Sequence, residues 1–272
     1  MNTTQRTREY YNSSDADEFY YRIWGGEDIH IGIYADINEP IRDASRRTVA
    51  TMASMVNITS LSRVLDLGSG YGGAARYIAD KIGCNVVCLN LSATENKRNI
   101  EKNKEANLDK KIEVVEGSFE QLEFGDATFD IVWSEDAILH AGDKKRVFAE
   151  IARVLKPGGF LIFTDPMQAD NCPEGVLEPV LQRIHLQSMG SIKLYRELAK
   201  ENKFREIEIR PYHDQLTLHY TRVRDELLRK KEELLRYVSL EYIERMLAGL
   251  THWVESAAKN YLAWGILHFE KM

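Results

Sequence analysis

The sequence predicts an α/β fold built on a parallel sheet, and three observations carry that expectation. Short apolar runs bounded by turn residues alternate with helically spaced segments between residues 63 and 164. The connections are short, so each strand is followed at once by a covering helix. A cluster of glycines, Gly68, Gly70, Gly72 and Gly73, closes the first strand, where an α/β sheet meets its ligand.

Each element follows from local chemistry. Arg63-Val64-Leu65-Asp66-Leu67 is a short apolar run ending at glycines and reads as a buried strand. Residues 71–82 have helical spacing, and Asn85-Val86-Val87-Cys88-Leu89 is a second strand. Ser92 opens a helix, with Glu95 placed to complete a capping box. Residues 111–115 and Phe129-Asp130-Ile131-Val132-Trp133 are the third and fourth strands. Asp143 caps a helix running to Leu155, which Lys156-Pro157-Gly158-Gly159 stops before a fifth strand, Phe160-Leu161-Ile162-Phe163-Thr164. Residues 174–203 read as two helices joined near Met189-Gly190-Ser191. Glu206-Ile207-Glu208-Ile209-Arg210 alternates as a strand with one wet face. Residues 214–238 and 240–258 form helices with one apolar stripe each, and residues 261–269 a last strand. The dense charge of residues 222–236 reads as a solvated helix face.

Composition narrows the function. The chain has 272 residues, 36 basic and 42 acidic, for a net charge of −6. That balance argues against a nucleic-acid partner. The length is awkward for two domains and predicts one core fold with insertions. No run approaches the roughly 18 apolar residues of a spanning helix, and the start lacks an apolar signal region, so neither a membrane partner nor secretion is expected. Three cysteines, Cys84, Cys88 and Cys172, make no disulfide framework, and Cys84 and Cys88 read as core rather than metal ligands. A cytoplasmic protein without a metal is the expectation.

Val64-Leu65-Asp66-Leu67-Gly68-Ser69-Gly70-Tyr71-Gly72-Gly73 admits two readings. Gly68, Gly70 and Gly73 satisfy the dinucleotide pattern, but Asn90 stands where an acidic residue should hold the ribose. The alternative is the S-adenosylmethionine loop, with Asp66 just before the first glycine. Gly117-Ser118-Phe119 after the third strand, the fourth-strand motif and Leu155-Lys156-Pro157-Gly158-Gly159 follow in order. On these four motifs the chain resembles the class I methyltransferases. The resemblance implies a Rossmann-like seven-stranded sheet with an N-terminal cap and a helical lid insertion. The expected limits within a single domain are 1–60 for the cap, 61–166 for the cofactor-binding core, 167–203 for the lid and 204–272 for the last strands and helices.

Ser134-Glu135-Asp136-Ala137-Ile138-Leu139-His140 lacks the motif of base methylators. The aromatic lead from Tyr10 to Tyr34 resembles the cap of small-molecule and lipid methyltransferases. Tyr20-Tyr21-Arg22-Ile23-Trp24-Gly25-Gly26-Glu27-Asp28-Ile29-His30-Ile31-Gly32, Thr164-Asp165-Pro166-Met167, Leu181-Gln182-Arg183-Ile184 and Leu250-Thr251-His252-Trp253 are similar to the sarcosine/dimethylglycine N-methyltransferase family over nearly the whole chain. That resemblance implies S-adenosylmethionine as cofactor, an amino-acid acceptor and synthesis of glycine betaine. The expected cofactor contacts are Tyr34, Asp66, Gly68, Ser69, Gly70, Asn90, Leu91, Ser118, Phe119 and Ser134. Asn90 and Ser118 stand where the family often has acids, and each can still hydrogen-bond.

The acceptor's carboxylate calls for an arginine fork, with Arg183 and Arg196 as candidates. Its methyl groups and developing charge call for aromatics and thioethers: Tyr11, Trp24, Met167, Met189 and Tyr195. His140 and Tyr20 are the candidate catalytic residues. Two other functions fit the same motifs: methylation of a phosphoamine or lipid-like acceptor, and S-adenosylmethionine binding without catalysis.

Overall fold

The structure, a computed structural model, describes residues 3–184 and 186–272; of the expected segments, Met1, Asn2 and His185 lie outside it. Its frame is a seven-stranded sheet in the order β3-β2-β1-β4-β5-β9-β7. The parallel strands are β1 (Arg63–Leu67), β2 (Asn85–Asn90), β3 (Ile112–Glu116), β4 (Phe129–Glu135) and β5 (Leu155–Thr164). β9 (Gly265–Lys271) and β7 (Phe204–Pro211) complete it with antiparallel pairing. β5 starts earlier than expected, because Leu155 already pairs with Phe129; the register then shifts across the Lys156-Pro157-Gly158-Gly159 segment.

Alternating side chains feed two cores, one per face. Leu65, Leu67, Val87, Leu89 and Val132 meet α6 (Lys144–Val154) and α8 (Ile192–Glu201) through Phe148, Ile151, Tyr195 and Leu198. Val64, Val86, Cys88, Ile131 and Trp133 meet α3 (Ile41–Met55) and α4 (Gly73–Ile82) through Val49, Met52, Ala75 and Ile78. Each fully buried side chain of this size contributes about 2–3 kcal/mol of transfer free energy. α5 (Ala93–Glu105) packs beside β2 and β3.

A third core sits above the carboxyl ends of the strands. It joins α1 (Thr3–Asn12) and α2 (Ser14–Ile23) to α7 (Glu178–Arg183), α9 (His213–Leu234) and α10 (Leu240–Ala258). Phe19, Trp24, Val223, Ile243 and Trp253 are among its buried members. α8 departs from the expected lid: Tyr195, Leu198 and Ala199 face the sheet core instead, because these are the apolar positions of an amphipathic helix beside β7. The cover comes from α7 and, mostly, from the α9–α10 hairpin inserted between β7 and β9. The short pair β6 (Met167–Gln168) and β8 (Leu262–Ala263) ties that hairpin to the end of β5. Strand order reverses between β1 and β4, so the crevice at their carboxyl ends is where this architecture receives ligands.

Candidate active site

The glycine turn forms the floor of that crevice. Gly68, Gly70 and Gly72 have φ of 73°, 49° and 75°. A Cβ on Gly68 would strike that of Ala137. The amides of Gly68 and Ser69 donate to the Leu89 carbonyl at 2.8 and 3.2 Å, which pins the turn to β2. Above it lies a chamber of about 70 Å³ lined by Gly68, Gly70, Asn90, Leu91, Gly117 and Phe119. An adjoining recess of about 30 Å³ brings Asp66 and Ser69 together with Glu27, Asp28, His30 and Glu135.

The recess is acidic and under-satisfied. Burial pushes the Asp66 carboxyl well above its ordinary range, with Glu135 and Asp28 adding to the shift. Burial pushes Glu135 up to about 7, against the attraction of His30. Burial disfavours charge on His30, but Glu135, Asp28 and Asp136 outweigh it and raise its pKa. Asp28 Oδ1, His30 Nε2 and Glu135 Oε1 are buried and form one loose ionic cluster, His30 Nε2 standing 3.5 Å from Glu135 and 4.0 Å from Asp28, and Ser69 Oγ is buried beside them. A recess with more buried carboxylates than the one histidine can balance, beside a glycine cradle, fits the cationic tail of S-adenosylmethionine.

Asn90 does not act alone. Its Nδ2 donates to Glu95 Oε2 at 2.8 Å, and both line the larger chamber. Ser92 caps α5 as expected, accepting from the Glu95 amide at 3.2 Å, but the Glu95 side chain turns inward rather than closing a capping box. Burial pushes its carboxyl up to about 7, against the Asn90 hydrogen bond.

Three expected cofactor residues point elsewhere. Ser118 Oγ accepts from the Glu120 amide at 3.2 Å, a local turn bond. Ser134 Oγ donates to the Leu67 carbonyl at 2.8 Å, binding β4 to β1. Tyr34 tethers the cap to α9: its hydroxyl lies 3.0 Å from His219 Nδ1 and its amide donates to Gln215 at 2.7 Å. None of the three lines either cavity.

A second chamber, about 50 Å³, lies beneath the cap. Tyr11, Tyr20, Trp24, Tyr220 and Trp253 are its aromatic walls, and Arg183 from α7 enters it. The Arg183 guanidinium stands 5.9 Å from the Trp253 ring, and its Nε is buried without a hydrogen-bond partner. Tyr11, Ile29, Asp136 and His140 line both this chamber and the glycine chamber, so the two meet there.

His140 sits on a 3₁₀ turn, Ile138–His140. The turn is held by the Leu139 amide donating to Asp165 at 2.9 Å and by Lys144 Nζ donating to the carbonyls of Leu139 and Ala141 at 3.1 and 3.3 Å. Nε2 lies 3.0 Å from the Tyr11 hydroxyl. Burial, with Lys144 and Arg183 nearby, lowers the His140 pKa to about 4, so the ring is neutral near pH 7. Tyr20 shares its hydroxyl with Tyr10 at 3.2 Å.

The other expected acceptor residues lie apart from this chamber. Arg196 is half exposed on α8 and pairs with Glu206 at 2.8 Å. The Tyr195 hydroxyl donates to Asp165, and its ring packs on Phe148 and Phe163 beneath the sheet. Met167 and Met189 are core side chains. Tyr195 and Arg196 take the buried and wet sides of α8, Met167 lies on β6 and Met189 in the loop before α8, and none of the four lines the chamber.

Several residues at the site escaped sequence reasoning. Glu95 passed as a capping residue, although Asn90 in a position that usually holds an acid was a signal that the acid had moved. Tyr220 reads from sequence as a stripe residue of α9, and Trp253 as part of a family motif with no role assigned to it. Asp136, which accepts from the Ile31 amide at 2.6 Å and from Trp264 Nε1 at 2.8 Å, had no sequence signal.

The chain is similar in sequence and fold to known methyltransferases. The family described as "Methyltransferase domain" matches residues 65–163. The chain is 54% identical to the sarcosine/dimethylglycine N-methyltransferase of Halorhodospira halochloris over 98% of its own length and 96% of that protein's. It is 51% identical to the enzyme of that name from Aphanothece halophytica, over 98% and 97%. A crystal structure from Galdieria sulphuraria superposes with a TM-score of 0.92 at 42% identity, covering 96% of this chain and 98% of that one; its own assignment as a sarcosine dimethylglycine methyltransferase is inferred.

Proposed function

The chain belongs to the sarcosine/dimethylglycine N-methyltransferase family, and on that premise we infer that it methylates sarcosine and dimethylglycine with S-adenosylmethionine, yielding glycine betaine. The observation that carries the division of labour is the junction of the two chambers at Tyr11, Ile29, Asp136 and His140, with a lone arginine on the acceptor side. S-adenosylmethionine supplies an electrophilic methyl on a sulfonium, which passes to the acceptor nitrogen as the carbon–sulfur bond breaks.

The chain's own residues then have distinct tasks. Gly68, Gly70, Leu91 and Phe119 shape the adenosyl chamber, and the Asn90–Glu95 pair faces the ribose hydroxyls. Asp66, Asp28 and Glu135 surround the cationic tail. Arg183 holds the acceptor carboxylate by a charge-assisted fork, fixing which end of the molecule faces the donor. Tyr11, Tyr20, Trp24 and Tyr220 present ring faces and polar tips that attract a methylated ammonium. The amine attacks only as the free base, and a chamber closed by aromatics favours that uncharged form. His140, neutral and bonded to Tyr11, orients the acceptor rather than storing its proton. Alignment of nitrogen, carbon and sulfur supplies most of the acceleration. A chamber this small suits a soluble amino acid; nucleic acid and membrane have no part in this reading.

An acceptor panel tests it. With S-adenosylmethionine, the protein is expected to form S-adenosylhomocysteine in the presence of sarcosine or dimethylglycine. Turnover with phosphoethanolamine or a phenol, and none with the two amino acids, would overturn the reading.

A further inference from the structure

A cleft on the outer side of the cap, divided from the acceptor chamber by Trp24, has a chemistry the methyl transfer does not use. It is the roomier space, about 380 Å³. It runs between the end of α2, the start of α3 and the middle of α9. Five cations line it: Arg22, Arg42, Arg222, Arg229 and Lys230. Its apolar walls are Ile23, Trp24, Pro40 and Ile41.

The charge there runs against the acidic whole. Arg229 and Lys230 share one carboxylate, Glu226, at 2.7 and 2.9 Å. Arg22 pairs with Glu18 at 2.6 Å, and Arg42 with its neighbour Asp43 at 3.2 Å. Five cations therefore meet three carboxylates. Arg222 is the unpaired one: its Nε is buried with no hydrogen-bond partner, and its terminal nitrogen only grazes the carbonyls of Asn38 and Glu39 at 3.5 Å. Arg42 and Arg229 are exposed at the rim, where an ion pair is individually weak, so a multivalent anion can recruit both cations beside Arg222. A carboxylate occupies one guanidinium fork. A phosphate monoester offers more oxygens and up to two charges, and can engage several forks at once. The indole and proline wall takes an apolar or aromatic body attached to it.

We propose that this cleft binds phosphate monoesters, outside the methyl-transfer site. The proposal rests on the cation set and the orphaned Arg222 and is independent of which amine is methylated. Calorimetry on the full chain saturated with S-adenosylhomocysteine, which keeps nucleotides out of the adenosyl chamber, tests it with inorganic phosphate, uridine monophosphate and citrate at constant ionic strength. Saturable binding of uridine monophosphate at about 1 mM or tighter is expected. Tighter binding of the nucleotide than of phosphate supports the apolar wall as part of the site, and equal binding points to the free ion as the occupant. Arg42→Glu and Arg229→Glu, both at the exposed rim, are each expected to weaken binding at least about tenfold. They should leave methyl transfer unchanged in the absence of the anion. No saturable heat, or equal affinity in both variants, overturns the proposal. So does citrate binding more tightly than either phosphate, or binding that is lost in Arg183→Ala but kept in Arg42→Glu.

Discussion

The donor chamber and the acceptor chamber share a wall but are built in opposite ways. The donor side is made largely of the glycine turn, its bonds to Leu89, and residues within a few positions of the carboxyl ends of β1, β2, β3 and β4, with Tyr11 and Ile29 reaching in from the cap. The acceptor side is made of long side chains from α1, α2, α7, α9 and α10, brought together from both ends of the chain. A backbone cradle is fixed once the sheet forms. A side-chain box exists only once the third core has packed.

That contrast has consequences that can be broken. Arg183→Ala is expected to cost the acceptor the most: roughly 10³-fold in kcat/KM, since an acceptor carboxylate would enter without its partner. The affinity for S-adenosylmethionine should stay within about twofold in that variant by calorimetry. Arg196→Ala, which removes only the exposed pair with Glu206, should leave both constants unchanged. Equal losses from the two arginines would erase the distinction between the chambers.

Glu95→Gln probes the donor side through pH. The Glu95 carboxyl titrates near 7 in the folded chain, above its ordinary value of 4.5. Between those values the folded protein keeps a proton that the unfolded chain releases. The stability tied to that proton is intact below about pH 4.5 and is lost as pH rises through about 7. The glutamine variant therefore gains on the parent as pH rises, by about 3 kcal/mol at pH 8. Thermal unfolding from pH 4 to 8 reads this as a growing gap in Tm, and a constant gap would mean Glu95 is not buried as described. The acceptor KM should not move.

Tyr34→Phe should cost less than Glu95→Gln changes. It loses one hydrogen bond to His219, about 1 kcal/mol of stability, with S-adenosylmethionine affinity unchanged. A marked drop in that affinity would return Tyr34 to the donor chamber.

The legibility of the molecule follows the same divide. The strands, the glycine turn, and Asp66, Gly68, Ser69, Gly70, Asn90, Leu91 and Phe119 were readable because backbone conformation and strand ends are local properties of sequence. Ser118 and Ser134 lie in the right motifs but turn away, because a hydroxyl takes the nearest backbone partner. Of the acceptor candidates, Tyr11, Tyr20, Trp24, His140 and Arg183 line the chamber, while Met167, Met189, Tyr195 and Arg196 do not. Nothing local separates the two groups. Arg183 and Arg196 both sit on short amphipathic helices after β5. One helix happens to pack against α10 and the other against β7.

The sequence alone determined the parallel sheet, its switch point and the glycine floor, since these depend on periodicities and φ angles within a few residues. Tertiary structure alone decided which arginine enters the second chamber, which carboxylate joins Asn90, and that the α9–α10 hairpin rather than α8 covers that chamber. Those outcomes turn on which helix faces bury against one another, a choice made by contacts between residues far apart in the chain.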